Sequence, residues 1–259
     1  MPFGSIFSTF EYVSLTTADG IDIEFQNSFI TRIGFRVVGI PHVSMRLRSR
    51  KIRKNVPATA THMLDAGFGS GAYSFTLADK IKCITAIDVE KKKVDYARKV
   101  SYFKNVSFQL MDLTKLTFED SSFDFIVCSE VLEHIKNHEA AFSELARVLR
   151  KGGTMLITVP YEKNLGMLQD YTKWGHERPG YTEKDMHDLC MKNGLILVKS
   201  EGWSSNPAEK AFQINYKMAQ KSKAVCGLFF YPLYAWALLS DRFQSRNDMN
   251  ELFFRIIKE

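Results

Sequence analysis

The chain has 259 residues, 45% of them hydrophobic and 25% charged, an ordinary globular composition that excludes a disordered, low-complexity or fibrous protein. A formal net charge of +6 and a pI near 9.0 favour an anionic substrate, nucleic acid or an acidic membrane surface as partner, without choosing among them. Cys83, Cys128, Cys190 and Cys226 form no C-x-x-C pair and three of them sit in apolar runs, so they read as reduced, buried thiols of a cytoplasmic protein. The opening "MPFGSIFSTFEYVS" has neither the basic nor the long apolar segment of a secretory signal.

Before residue 58 the pattern is irregular, and residues 1–57 are expected to form an N-terminal extension that caps the site. Its strong feature is "RLRSRKIRK", where Arg46, Arg48, Arg50, Lys51, Arg53 and Lys54 crowd together. Such a run is usually a solvated helix face, and its place just before the first strand also suits anion binding. From residue 61 onward short β-rich runs alternate with helical stretches, the pattern of a parallel sheet covered on both faces. "THMLDAG" reads as the first strand and "AYSFTLADK" as a helix; "KCITAIDVE" is a second strand, followed by an amphipathic helix in "EKKKVDYARKVSYF". "VSFQLMD" and "FDFIVCSE" are strands three and four.

In "NHEAAFSELARVLRKGG", Phe142, Leu145, Val148 and Leu149 fall at helical spacing, with Asn137 as N-cap and Gly152 as C-terminal stop. "TMLITVP" supplies strand five, "TEKDMHDLCMKNG" a helix opened by a Thr182–Asp185 capping box, and "LILVKSEGW" strand six. "NELFFRIIKE" is the last strand, expected to run antiparallel. Residues 207–245 read as a helical insertion before it. That insertion contains "AVCGLFFYPLYAWALL", uncharged, interrupted by Pro232 and shorter than the roughly twenty residues a membrane span requires. It suits a helix packed on the sheet or, over residues 224–239, a hairpin lying against lipid or a lipid-linked substrate.

The expected fold is therefore α/β: a Rossmann-like, doubly wound, seven-stranded and mostly parallel sheet with helices on both faces, formed by residues 58–206 together with 246–259. At the carboxyl end of its first strand lies "DAGFGSGA", where Gly67, Gly69 and Gly71 let a ligand approach the main chain and the next helix offers free N–H groups. Two ligands fit. Gly67, Gly69 and Ala72 satisfy the dinucleotide fingerprint G-x-G-x-x-G/A, and Asp88 follows about twenty residues on, as a ribose ligand would. A short-chain dehydrogenase would also need Y-x-x-x-K, and no tyrosine here has a lysine four residues later.

The second ligand is S-adenosylmethionine. "DAGFGSG", "AIDVE" with Asp88, "QLMDL" with Asp112, "FDFIVCSEVLEHI" and "LARVLRKGGTMLITVP" stand in order between Met63 and Pro160, and this set resembles the class I S-adenosylmethionine-dependent methyltransferases with a type 11-like domain. The resemblance implies that Gly67, Gly69 and Gly71 face the methionyl part of the cofactor, with Asp65 near its ammonium. It implies further that Asp88 accepts the ribose hydroxyls, Asp112 the adenine amino group, Leu113 packs on the ring, and Cys128 or Ser129 lines the methionyl end. Glu130, Glu133 and His134, spaced i, i+3 and i+4, are expected on one face after strand four. This E-x-x-E-H pattern is similar to the divalent-metal site of ubiquinone-pathway O-methyltransferases and small-RNA 2′-O-methyltransferases, with His176 completing the set for Mg²⁺ or another divalent ion. Without a metal, His134 or His176 is the general base.

The resemblance thus implies methyl transfer to an oxygen, less readily to nitrogen or carbon, of a small-molecule or lipid-linked acceptor. A nicotinamide-dependent oxidoreductase and a cofactor-binding, non-catalytic partner subunit remain as alternatives, and nucleic acid is a weaker partner.

Overall fold

Strands buried on both faces need almost continuous apolar runs, and the central strands have them: β1 (His62–Ala66), β2 (Cys83–Asp88), β4 (Phe123–Ser129) and β5 (Leu149–Pro160). β3 (Val106–Leu110), β6 (Leu195–Ser205) and β7 (Met249–Lys258) are more exposed toward the edges or close the C-terminal half. Among the described residues the sheet has seven strands in the order β3-β2-β1-β4-β5-β7-β6, parallel except for β7, which runs antiparallel to both neighbours. The computed structural model describes residues 43–69, 71–101, 103–164, 166–221, 223–242 and 249–259. The expected N-terminal extension therefore lies outside the described residues up to residue 42, as do residues 243–245 of the insertion and the side chain of Cys226.

Alternation along the strands divides the core between the two faces. Leu64, Ala66, Ile126, Cys128, Met155, Ile157 and Phe254 point to one side, against α4 (His138–Val148) and α5 (Glu183–Lys192). Met63, Phe125, Val127, Leu156 and Phe253 point to the other, where they meet α1 (Val43–Lys54), α2 (Ala72–Leu77), α6 (Asn206–Lys221) and α7 (Lys223–Arg242). A smaller cluster of Phe75, Val94, Ala97 and Phe108 seats α3 (Lys91–Val100) on β2 and β3. Each fully buried Phe, Leu or Ile in these layers contributes about 1.5–3 kcal/mol.

Local signals fix the helix ends. The Asn137 side chain accepts from the Ala140 amide, and Thr182 and Asp185 form the reciprocal capping box. The end of α4 differs from expectation: the helix stops at Val148, and Leu149 already pairs with Phe123 in the sheet. Gly152, expected as the helix stop, lies within the strand at φ +74°, where residues 150–153 bulge out between the Phe123–Leu149 and Phe125–Thr154 pairs. The last carbonyls of α4 are capped from the far end of the chain, since Lys258 Nζ donates to the Ala146 and Leu149 carbonyls at 2.7 and 2.8 Å.

Three further expectations change. α7 runs unbroken through Pro232, because its inner side chains Leu233, Tyr234, Ala237 and Leu238 pack on the core and outweigh the hydrogen bond that proline removes. No helix among the described residues is long and apolar enough to cross a membrane. The basic run is only partly a solvated face: Arg50 and Lys54 are exposed, but three of its cations are paired. It forms α1, docked on α2, α6 and α7, with Arg48 paired to Glu251 at 2.9 Å and to Glu130 at 3.3 Å, Lys51 to Glu201, and Arg53 to Asp79. Cys83, expected to be buried, is exposed at the first position of β2.

Arg48 is the least exposed of these three paired cations, its guanidinium also lying 5.5 Å from the Trp203 ring. Replacing it by Met strands two nearly buried carboxylates, so Arg48→Met should lower the unfolding free energy by about 3 kcal/mol in urea denaturation. Lys51→Met, at a wetter pair, should lower it by less than about 1 kcal/mol.

Candidate functional site

The strand order turns back between β1 and β4, and the crevice at their carboxyl ends is where an open α/β sheet takes its ligand. The loop from Gly67 to Gly71 borders it. The amides of Gly67 and Phe68 donate to the Ile87 carbonyl at 2.9 and 3.0 Å, and the Phe68 ring packs edge-on against Phe108, so the loop is fastened to β2 and β3. Gly67 and Gly69 both have positive φ, but for different neighbours. A Cβ on Gly67 would run into the Val131 side chain, whereas one on Gly69 would meet nothing within 4 Å. Gly69 is therefore the glycine whose bareness faces open space.

The acidic residues expected to bind cofactor occupy different positions around this loop. Asp88 ends β2, 8% exposed; its Oδ2 accepts from the Gly69 amide at 3.0 Å and its Oδ1 from the Glu90 amide at 2.9 Å, leaving a lone pair on each oxygen for a diol. Asp65 is 1% exposed, and its Oδ2 accepts from the amide and hydroxyl of Ser74 at 3.0 and 2.6 Å, holding the first turn of α2. Burial, eased by those two bonds, pushes its carboxyl up to about 7. Asp112 is exposed, two residues beyond β3, and accepts from the amide and hydroxyl of Thr114, which hold it below the usual carboxylate range. Leu113 beside it is buried.

Cys128 and Ser129 end β4, both buried, and burial raises the Cys128 thiol. Ser129 lies in a chain of hydroxyls, with Tyr73 Oη at 2.8 Å and Thr158 Oγ1 at 2.6 Å. Burial pushes the Tyr73 phenol up to about 12, so it stays protonated. The sequence reading did not single out Tyr73 or Thr158. The signals available were a tyrosine two residues after the third glycine and a threonine near the end of a buried strand.

The E-x-x-E-H segment divides. Glu130 takes φ +55°, a left-handed turn that breaks helical spacing and aims its carboxylate at Arg48. Glu130 and Glu133 thus do not share the face that the i, i+3 interval implied. Glu133 and His134, in the short 3₁₀ turn Leu132–His134, meet His176 instead, their ligand-bearing atoms all within 4.8 Å of one another. His176 follows the 3₁₀ segment Gly166–Trp174 and packs edge-on to His134 with ring centroids 4.5 Å apart. His134 Nδ1 lies 3.0 Å from the Gly175 carbonyl, which only accepts, so Nδ1 carries a proton and Nε2 is the nitrogen left outside that bond. Burial, with His134 adjacent, lowers His176 to about 4 and keeps it neutral. Glu133 is fully buried with neither oxygen hydrogen-bonded, and burial together with the Glu130 charge holds it well above the ordinary carboxyl range.

Residues 64–157 match a family model described as a methyltransferase domain. The chain is 27% identical over 119 residues to the ubiquinone biosynthesis O-methyltransferase of Coxiella burnetii, covering 45% of this chain and 51% of that one. It is 29% identical over 146 residues to phosphoethanolamine N-methyltransferase 2 of Caenorhabditis elegans, covering 54% and 33%. The chain thus spans about half, or less, of the length of these curated relatives. Among solved structures, that of Haemonchus contortus phosphoethanolamine N-methyltransferase 2 in complex with S-adenosyl-L-methionine superposes with a TM-score of 0.60 at 18% identity, over 96% of this chain and 60% of that one. The [4+2]-cyclase SpnF superposes with a TM-score of 0.57 at 21% identity, over 83% and 80%. The fold is common to both.

Gly69→Ala should fold with a loss of about 1 kcal/mol from its positive φ yet bind adenosyl ligand at least about tenfold more weakly by calorimetry. Gly67→Ala, which adds the clash with Val131, should lose more stability than Gly69→Ala in thermal unfolding. Between the ordinary carboxyl value of 3.8 and about 7, folded Asp65 holds a proton that the unfolded chain releases, so its contribution to stability falls as pH rises across that window. Asp65→Asn should flatten that slope by an amount on the order of a few kcal/mol, read from urea unfolding at pH 5 and pH 7.5.

Proposed function

We propose that this chain, whose residues 64–157 belong to the class I S-adenosylmethionine-dependent methyltransferase domain family, moves the cofactor's methyl group to an oxygen of a small or lipid-linked acceptor seated over Glu133, His134 and His176. The observation that carries this reading is the meeting of an oriented imidazole, a neutral imidazole and an unpartnered buried carboxyl beside the glycine turn. The family match favours the methyl donor over the dinucleotide that the glycines alone also allowed.

In this reading Gly67, Gly69 and Gly71 border the methionyl moiety, Asp65 lies toward its ammonium, and Cys128 and Ser129 line the same end. Asp88 accepts the ribose hydroxyls through its remaining lone pairs, while Asp112 and Leu113 take the adenine. A sulfonium methyl is already electrophilic, so the protein's work is to align the acceptor, exclude water and remove a proton. An acceptor oxygen attacks the methyl carbon, the carbon–sulfur bond breaks with its electrons going to sulfur, and the acceptor's proton passes to His134 Nε2. The Gly175 carbonyl holds that ring in the required tautomer, and a neutral His176 places no like charge beside the imidazolium.

The same three side chains fit a divalent ion, because the Glu133 oxygens lack any partner and stand with two imidazoles. Glu133, His134 and His176 would hold it, and Glu130 stays with Arg48. A bound ion would make an acceptor hydroxyl more acidic. Turnover that survives exhaustive chelation identifies the base reading, and turnover restored by Mg²⁺ identifies the ion.

The reaction itself is tested by incubating the protein with methyl-labelled S-adenosylmethionine and fractionated cell extract, with label expected in a small-molecule or lipid fraction. Cofactor binding without transfer to any fraction would identify a non-catalytic partner subunit. His134→Ala and His176→Ala should each lower kcat by about 10²-fold or more while the cofactor Kd stays within about twofold. Unchanged turnover in either variant removes that residue from the mechanism.

A further inference from the structure

Helices α6 and α7 lie on one face of the sheet, and their inner side chains Ala208, Ala211 and Ala237 enter the same core cluster. Their outer side chains therefore share the outside of one layer. On α7, Phe229, Pro232, Trp236 and Leu239 are exposed and recur at i, i+3, i+7 and i+10, a single stripe with no charged residue from 229 to 240. Three of them are large: Phe229 is 45% exposed, Trp236 42% and Leu239 60%. Along α6, Lys210, Ile214, Lys217 and Lys221 are exposed, at i, i+4, i+7 and i+11. An aromatic and aliphatic stripe beside a lysine row thus forms the outer surface of the layer.

From this surface we infer that α6 and α7 dock the protein on an anionic lipid bilayer, lying in the headgroup plane with the α7 stripe inserted. Trp and Phe are suited to that depth, and lysines lay their methylene stems on the acyl boundary while their ammonium groups reach lipid phosphates. The helix does not span, since its other face is committed to the protein core. Charge complementarity separates this occupant from a second copy of the chain. A symmetric contact through the same layer sets lysine rows against each other, whereas an acidic leaflet neutralises them. The overall charge of +6 adds in the same direction. This inference does not depend on the reaction assigned above, because binding to lipid is measured without turnover.

The test is sedimentation of the full chain with unilamellar vesicles of phosphatidylcholine alone and of phosphatidylcholine with 30 mol% phosphatidylglycerol (about 30%, a typical acidic-leaflet content). Partitioning to the acidic vesicles is expected, falling with added salt and at least about tenfold stronger than to neutral ones. Trp236→Ala with Leu239→Glu should reduce it about tenfold or more, and Lys217→Glu with Lys221→Glu should do the same. All these side chains are exposed, so cofactor affinity and Tm should stay at their wild-type values. The inference is overturned if no vesicle binds the folded chain, if the Trp236 and Leu239 changes leave partitioning unaltered, or if light scattering shows a dimer that Leu239→Glu dissociates.

Discussion

Negative charge gathered at the carboxyl edge of the sheet is the constraint that the rest of the molecule answers. Asp65, Asp88, Glu133 and Glu251 are each less than a tenth exposed, and Glu130 stands among them. Carboxylates so placed lose hydration and repel one another. The chain compensates by three means. Backbone amides serve Asp88 and, with the Ser74 hydroxyl, Asp65, Arg48 lies between Glu130 and Glu251, and burial pushes both Asp65 and Glu133 toward their protonated forms. A cofactor bearing a sulfonium and an ammonium supplies the positive charge this edge still lacks, so its chemistry and the site's electrostatics ask for the same ligand.

What the sequence made legible follows from how local each signal is. The five strands from Met63 to Pro160, the Asn137 cap and the Thr182–Asp185 box are written in neighbouring residues, and the antiparallel last strand in an apolar run. Docking of the basic run was not legible, because Arg48 meets Glu251 across 203 residues of chain. Nor was the divergence of Glu130 from Glu133, which rests on one left-handed residue that spacing rules treat as helical. Glycine, too, misled in part: Gly67 is bare because Val131 lies against it, whereas Gly69 faces open space as a ligand would require.

The two halves of the site are built differently. In the proposed reading the cofactor half comes from Asp65, Gly67, Gly69, Asp88, Asp112 and Leu113, on short links between adjacent parallel strands, and much of it is backbone. The acceptor half of that reading assembles from the segment after β4, the stretch carrying His176, helix α1 and the start of β7, which meet only in the folded molecule. Residues 64–157 cover the first half and end before His176. That span includes Glu133 and His134 but not the rest of the acceptor half, and the similar curated proteins include one named for oxygen and one for nitrogen transfer.

Trp174, Gly175 and His176 tie the acceptor half to the helical layer. The Trp174 ring lies 6.4 Å from Tyr216 of α6, the Gly175 carbonyl holds His134, and His176 stacks edge-on against that same ring. A displacement of α6 therefore reaches both imidazoles through one ring contact and one hydrogen bond. The glycine loop is fastened to β2 through the Ile87 carbonyl and Asp88, and it meets the same segment where Gly67 lies against Val131, whose carbonyl accepts from the His134 amide. In the proposed reading the methyl donor lies on loops fastened to the sheet, and the groups facing the acceptor lie on a segment that also touches the outer layer, so a shift of that layer would reach the acceptor side chains first.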